Sequence, residues 1–322
     1  MRSIISLFCA FALSIFSFPQ ESSECLAVIT DLDGDVTVIK ASANKVKAVW
    51  GVQLFEGDKI TTAKNSRVAL LFSNGNLINL GANSDLEISG PEKSSANSTA
   101  EPKKVNTAMM ANFSALTFRR KEEKEIGVIA GLRDGDNDRP IVLISPCNTI
   151  IRETAPAFYW QPGTQMEQYL VKLYNSKGMV WSKKAEDSKL LYPADEKALE
   201  PGESYFWNVE GEIRLELFKS PNREFTILSL DEQKILDEQK ESIKELFRNN
   251  PNSSGYHSLL GACYMNIGLY ENAINEFREV SEINPDSALP HEILGNLYTI
   301  TGNKDRAISE LQKALEIKKR EE

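Results

Sequence analysis

Acyl or hydrolytic chemistry carried by side chains needs a nucleophile with a base beside it. The chain contains two histidines, His257 and His291. They stand 34 residues apart, at the same site of a repeated unit. Neither has a Ser or Cys in an arrangement that marks a triad. Side chains at equivalent sites of adjacent units can approach one another, so a two-histidine metal site is conceivable. Glu292 is the nearest carboxylate in sequence, but zinc takes three or four ligands and no further ligand is evident. Packing or surface roles are therefore expected for both histidines. Two acidic runs, Asp31-Leu-Asp33-Gly-Asp35 and Asp134-Gly-Asp136-Asn-Asp138, alternate carboxylates as calcium loops do. An EF-hand loop also needs Gly at its sixth position and Glu at its twelfth. The sixth positions here are Val36 and Arg139, and the twelfth of the second run is Ser145. Asx-rich turns account for both runs. Gly127, Gly131 and Gly135 lack the Gly-Lys-Ser/Thr of a phosphate-binding loop and the spacing of a dinucleotide site. No catalytic residue, cofactor site or metal site is expected, and the protein is read as non-enzymatic.

The histidine spacing belongs to a larger pattern. Leu260, Gly261, Tyr264, Gly268, Ala273 and Ile274 recur as Leu294, Gly295, Tyr298, Gly302, Ala307 and Ile308. A fixed period of this length marks a repeat array of stacked helix pairs. Small residues sit where two helices must approach, and large ones fill the gaps.

The pattern closely resembles the tetratricopeptide repeat. Leu260-Gly261, Tyr264, Gly268, Tyr270, Ala273, Phe277 and Pro285 carry the likeness in the first copy. The second has Leu294-Gly295, Tyr298, Gly302, Ala307 and Ala314, with Leu311 in the Phe position and Lys319 in place of the closing Pro. The resemblance implies helix pairs that bind a protein or peptide along the first helix of each repeat. The implied groove positions are Ser258, Ala262, Met265 and Asn266, then Leu289, Glu292, Asn296, Thr299 and Ile300. Stretches 254–267 and 288–300 hold no Lys or Arg, so a neutral to apolar ligand surface is expected. The alternative is that these residues contact the chain's own sandwich. Ser229-Leu-Asp-Glu232 has the form of a capping box. The helix it starts, ending before Pro251, is read as a half repeat that covers one end of the array.

At the other terminus, Arg2 precedes Ile4–Phe16, which is uncharged and mostly apolar: the n- and h-regions of a signal peptide. Cleavage after Ser17, Ser23 or Ala27 stays open, and residues 1–25 are assigned to the leader. Ser-Ser-Glu before Cys25 is unlike a lipobox, so lipidation is not expected. The expected location is extracytoplasmic, with peripheral or no membrane contact. No apolar run reaches the ~18–20 residues of a transmembrane helix. A net charge of −9 argues against a nucleic-acid partner. Four cysteines, Cys9, Cys25, Cys147 and Cys263, fit neither a zinc pattern nor a disulfide framework. A Cys25–Cys147 bridge is left open.

Residues 26–90 read as a small antiparallel β domain. Val36 and Val38 alternate with Thr37 and Ile39, and Ser66–Phe72 and Leu77–Leu80 flank Asn74-Gly75. That dipeptide predicts a hairpin with a type I′ turn. The phrases 34–38, 51–54, 56–62 and 66–72, with Asn74-Gly75, Leu80 and Asn83, resemble the extracytoplasmic FecR domain. FecR is a membrane signal transducer with a cytoplasmic anti-sigma part. The hydrophobic segment begins at once here, so no such part is expected. Residues 91–139 are read as a linker, partly of low complexity, with local packing at 108–118.

Residues 140–228 read as a second β module. Its expected strands are Ile141–Ser145, Ala157–Trp160, Tyr169–Tyr174, Met179–Ser182, Lys189–Tyr192, Tyr205–Val209 and Glu224–Leu228. Seven short strands over this length fit an immunoglobulin-like or fibronectin-like sandwich. The segments 156–160, 169–173 and 199–207 resemble fibronectin type III-like modules of bacterial envelope proteins. Phe158, Trp160, Tyr205 and Trp207 are expected in the core, the alternative being a sugar-binding platform. The fold class is thus multidomain β plus α: a FecR-like domain, a β-sandwich and helices over 229–322. The expected function is an exported adaptor of the bacterial envelope, binding protein through the array and contacting an envelope component. The alternatives are a FecR-type sensor and an envelope polysaccharide-binding protein.

Overall fold

The structure, a computed structural model, describes residues 24–90, 103–107, 109–110, 113–114, 141–162, 166, 168–213 and 216–321. Residues 1–23 of the expected leader, with Cys9, the Asp134–Asp138 run and Gly127, Gly131 and Gly135 lie outside these.

The first module contains β1 (Ala27–Asp33), β2 (Val36–Ile39), β3 (Lys45–Lys47), β4 (Gln53–Leu54), β5 (Lys59–Thr62), β6 (Arg67–Phe72), β7 (Asn76–Leu80), β8 (Asp85–Glu87) and β9 (Lys103–Lys104). They form two antiparallel sheets, ordered β4-β1-β6-β7-β9 and β3-β2-β5-β8. Val38, Leu54, Ile60, Leu70, Phe72 and Leu86 fill the space between them. β6 is apolar on both faces because it has two cores to serve. Val68, Leu70 and Phe72 face the other sheet, while Ala69 and Leu71 belong to the cluster formed with the helices.

Two expectations change here. The β6–β7 hairpin does not use a type I′ turn. Gly75 has φ +87° but Asn74 is not in the left-handed region, and the Gly75 amide donates to the Phe72 carbonyl. This is the three-residue loop that places one glycine in αL. The Asn74 carboxamide oxygen instead accepts the Asn76 amide. Within the segment read as linker, β9 pairs with β7 and Val105 is buried, while Met109, Met110 and Phe113 are buried in the stretch expected to pack locally. These apolar residues have a sheet face and helices to cover them.

The second module contains β10 (Ile141–Ser145), β11 (Thr149–Ile151), β12 (Ala157–Pro162), β13 (Tyr169–Asn175), β14 (Gly178–Ala185), β15 (Lys189–Leu191), β16 (Ser204–Ile213), β17 (Glu216–Lys219) and β18 (Arg223–Ile227). A three-stranded sheet, β10-β12-β15, faces a larger one ordered β11-β18-β16-β13-β14, with β17 on β16. β11 runs parallel to β18. Phe158, Trp160, Tyr205 and Trp207 are all buried in the shared core, so the aromatic row is no sugar platform. The Trp207 indole N–H donates to the Pro146 carbonyl at 2.7 Å. Cys25, Cys147 and Cys263 form no disulfide with one another. Burial pushes the thiol pKa of Cys25 up to about 11 and that of Cys147 to about 12, which keeps both as neutral packing groups.

Five helices follow: α1 (Leu230–Leu246), α2 (Ser254–Asn266), α3 (Tyr270–Ile283), α4 (Ala288–Ile300) and α5 (Lys304–Glu321). Ser229 and Glu232 form the expected capping box on α1. Ser229→Ala is expected to cost about 1 kcal/mol of stability, read as a lowered urea midpoint. The pairs α2–α3 and α4–α5 are the two copies of the repeat. A Cβ on Gly261 would stand 2.8 Å from the Phe277 ring, and one on Gly295 would stand 2.6 Å from Leu311. Both positions therefore need glycine for the two helices to pack. Gly268 and Gly302, at φ +81° and +82°, make the turn within each pair.

Candidate functional site

Each histidine is used inside its own repeat. His257 Nδ1 lies 2.7 Å from Glu276 Oε2, and His291 Nδ1 lies 2.6 Å from Glu310 Oε2. The two glutamates are themselves 34 residues apart, so the unit repeats a His–Glu clasp joining its first helix to its second. Among the described residues no group of three or more His, Cys, Asp or Glu side chains is placed to hold a metal.

The first helices of the repeats carry the nine expected groove residues, and the structure separates them into two groups. Ser258 and Ala262 are buried at 0% and 1% exposure, and Leu289 is half-buried. Asn266, Asn296 and Ile300 are exposed, with Met265, Glu292 and Thr299 partly so. Glu292 pairs with the Lys318 ammonium.

The chain's own first β module lies against the start of the groove. A register shift in β1 between Ile29 and Asp31 marks an irregularity at Thr30. The Asp31 carboxylate accepts from Ser254 Oγ at 2.9 Å and Asn250 Nδ2 at 3.2 Å. The Thr30 carbonyl lies 3.5 Å from where a Gly255 Cβ would stand. Further on, the Trp50 carbonyl accepts from Ser287 Oγ at 2.8 Å, and Gly51 packs on the Leu289 side chain. Trp50, 1% exposed, joins Leu259, Ala262, Ile293 and Leu294 in a single hydrophobic cluster. A surface ion pair, Lys47–Asp286 at 2.8 Å, adds little to this.

Comparing equivalent sites of the two repeats shows what this docking demands. Ser253 accepts the Tyr256 amide as an N-cap, whereas Ser287, 34 residues later, makes no cap bond. Its hydroxyl is spent on Trp50. Asn284 Nδ2 donates to Val280 within its own repeat, whereas Asn250 Nδ2 turns outward to Asp31. A Cβ at position 255 would stand 2.8 Å from the Phe247 ring, so that site needs glycine, whereas its counterpart Leu289 carries a large side chain that packs on Gly51.

The sandwich holds the opposite ends of the helices, at the turns. Thr149 Oγ1 lies 3.1 Å from both the Gly268 carbonyl and the Tyr270 amide. The Ile150 amide donates to the Gly268 carbonyl at 2.8 Å. At the second turn, Asn148 Nδ2 donates to the Ile300 carbonyl at 3.1 Å, and the Arg223 guanidinium lies beside Gly302. The array is thus held at both helix ends, by a different β module at each. The sequence alternative of self-contact is realised chiefly through the first module, not the sandwich.

Each interface also buries one carboxylate. Burial raises the Asp31 pKa, opposed by the Ser254 hydrogen bond and the nearby Arg67 charge. Burial likewise raises the Glu271 pKa, opposed by a hydrogen bond from Ser145 and reinforced by Glu153. Such groups bind protons more tightly folded than unfolded. Their contribution is greatest below the ordinary carboxylate range and is lost as pH rises through the raised folded values. Glu271→Gln removes one of them. The urea midpoint of the variant minus that of the parent is expected to be larger at about pH 7 than at about pH 4. An equal difference at both would contradict this assignment.

A tetratricopeptide-repeat family model matches residues 255–287 and 291–321, which correspond to the two helix pairs. No curated protein matches the chain. Among solved structures, a cell surface anchoring domain is 28% identical over 20% of this chain and 83% of its own, with a TM-score of 0.19. A MamA structure is 28% identical over 26% of this chain and 50% of its own, with a TM-score of 0.24. The fn3 domain of human collagen alpha-1(XX) is 15% identical over 30% of this chain and 93% of its own, with a TM-score of 0.23.

Proposed function

We propose that this protein is an exported, non-enzymatic adaptor of the bacterial envelope that binds a partner protein through the part of its repeat array left free by its own β modules. The carrying observation is the division of the groove. Ser258 and Ala262 are buried, while Asn266, Asn296, Thr299 and Ile300 keep exposure along the C-terminal halves of α2 and α4. This strip is neutral, so its partner is a neutral to apolar peptide or protein surface. A groove half filled by the chain itself shortens the site and fixes its direction.

The FecR-like phrases fall in the first module, including the Gly51 turn that packs on Leu289. In the second module the Tyr205 hydroxyl accepts the Glu200 amide at 2.9 Å. A tyrosine bonded to backbone a few residues upstream is a device of immunoglobulin-type sandwiches, which supports the fibronectin-like reading. The charged start followed by Ile4–Phe16 supports export. Among the described residues no helix is long and apolar enough to cross a membrane.

A photo-crosslinking residue at Asn296 or Ile300, introduced into the full chain in intact cells, tests the reading. The strip is expected to yield a discrete crosslinked partner that the same probe at the exposed Arg278 or Glu279 does not. Ile300→Glu is expected to weaken capture at least about ten-fold with unchanged melting, as a buried apolar contact becomes a desolvated charge. Equal yields from both faces would sink the proposal.

A further inference from the structure

A cavity of about 280 Å³ lies where the first β module meets the join between α1 and α2. Sites at the junction of two modules are common places for small ligands. Its floor is apolar, built from Ala69, Leu77 and Phe247, all less than a tenth exposed. Its rim carries two cations, Arg67 and Lys103, and the amide of Asn79.

The charges at this rim are unequally satisfied. Asp31 lies at the cavity's edge and already accepts from Ser254 and Asn250. The Arg67 guanidinium stands 3.7 Å from Asp33 and 4.0 Å from Asp31, beyond hydrogen-bond reach of both. Its charge is shared loosely with both carboxylates, but its planar set of donors makes no hydrogen bond to either. Among the described residues Lys103 commits one donor, to the Leu246 carbonyl at 2.8 Å.

We infer that this cavity binds a small carboxylate carried on an apolar stem, with the carboxylate on Arg67 and Lys103 and the stem over Ala69, Leu77 and Phe247. The guanidinium fork matches a carboxylate through two parallel hydrogen bonds. A carboxylate on an aliphatic stem comes from a free short-chain acid or from an apolar chain terminus. Hexanoate represents the first and N-acetyl-leucine the second. The site is separate from the exposed strip of α2 and α4 and does not depend on the adaptor reading.

Calorimetric titration of the full chain with hexanoate, N-acetyl-leucine and hexanamide tests the inference. Saturable binding of at least one acid is expected, and whichever binds tighter names the source. Hexanamide is expected to bind at least about ten-fold more weakly. Arg67→Gln is expected to lose a similar factor, and Arg67→Lys to recover only part of it, because charge returns without the fork. Thermal melting of each variant separates loss of the site from loss of the fold. The inference is overturned if neither acid saturates, if hexanamide matches hexanoate, or if a folded Arg67→Gln variant binds as the parent does.

Discussion

Trp50→Ala is expected to cost about 3–5 kcal/mol of stability, in the range for removing a buried large aromatic. It is also expected to loosen the repeat array from the strands that precede it. Trp50 is 1% exposed and shares one cluster with residues of α2, α3 and α4. Its removal leaves a cavity that neither the sheet nor the helices can close alone. The loss should appear first as amide exchange around Ser287 and Leu289, since the Trp50 carbonyl holds the Ser287 hydroxyl. Among the described residues the Trp50 indole N–H has no hydrogen-bond partner. Trp50→Phe removes that orphan donor and opens a smaller void, so its loss should be well under half that of the alanine variant. If Trp50→Ala melts like the parent and exchange at Ser287 is unchanged, the shared core is not what joins the two parts.

The second large effect is expected from Gly51→Val. Gly51 has φ +84°, a region a β-branched residue adopts only under strain. A Cβ there would stand 2.7 Å from Leu289 Cδ2. Backbone strain costs about 1–3 kcal/mol, and forcing extra atoms into a packed contact about 1–3 kcal/mol more. The two parts can be separated, because only the second depends on Leu289. In the double variant with Leu289→Ala, part of the loss should return, leaving a coupling of about 0.5–3 kcal/mol. Simple additivity in that cycle would show that Gly51 and Leu289 do not meet. In the adaptor reading, a chain undocked at this point exposes Ser258 and Ala262 and lengthens the free groove. Partner capture should then change in Gly51→Val even where Ile300 is intact.

Much of the local structure was legible in the residues. The 34-residue period placed both helix pairs, because repeated small and large residues report helix packing that is local to each unit. Ile141–Ser145 was placed at its observed limits, and six other strands of the sandwich lie within one to four residues of their expected ends. β11 and β17 escaped notice. β11 is three residues long and pairs in parallel with β18, far away in sequence, so neither alternation nor a flanking turn announces it. The clasp between His257 and Glu276 also escaped, although Glu276 and Glu310 keep the same period as the histidines. Comparing every polar position across the two copies would have found it.

The sequence by itself determined the kinds of element and the doubled helical unit. These follow from patterns confined to a few turns or strands. What only the tertiary structure decided is how much of the surface of α2 and α4 the chain itself covers. The contacts that cover it join residues more than 200 positions apart, as in Asp31 with Ser254 and Trp50 with Ser287. Such contacts impose no period on either segment. Their trace is a difference between copies that should match: Gly255 against Leu289, and Ser253 as a cap against Ser287 as a tether. A repeat pattern averages such differences away, whereas packing in three dimensions depends on them.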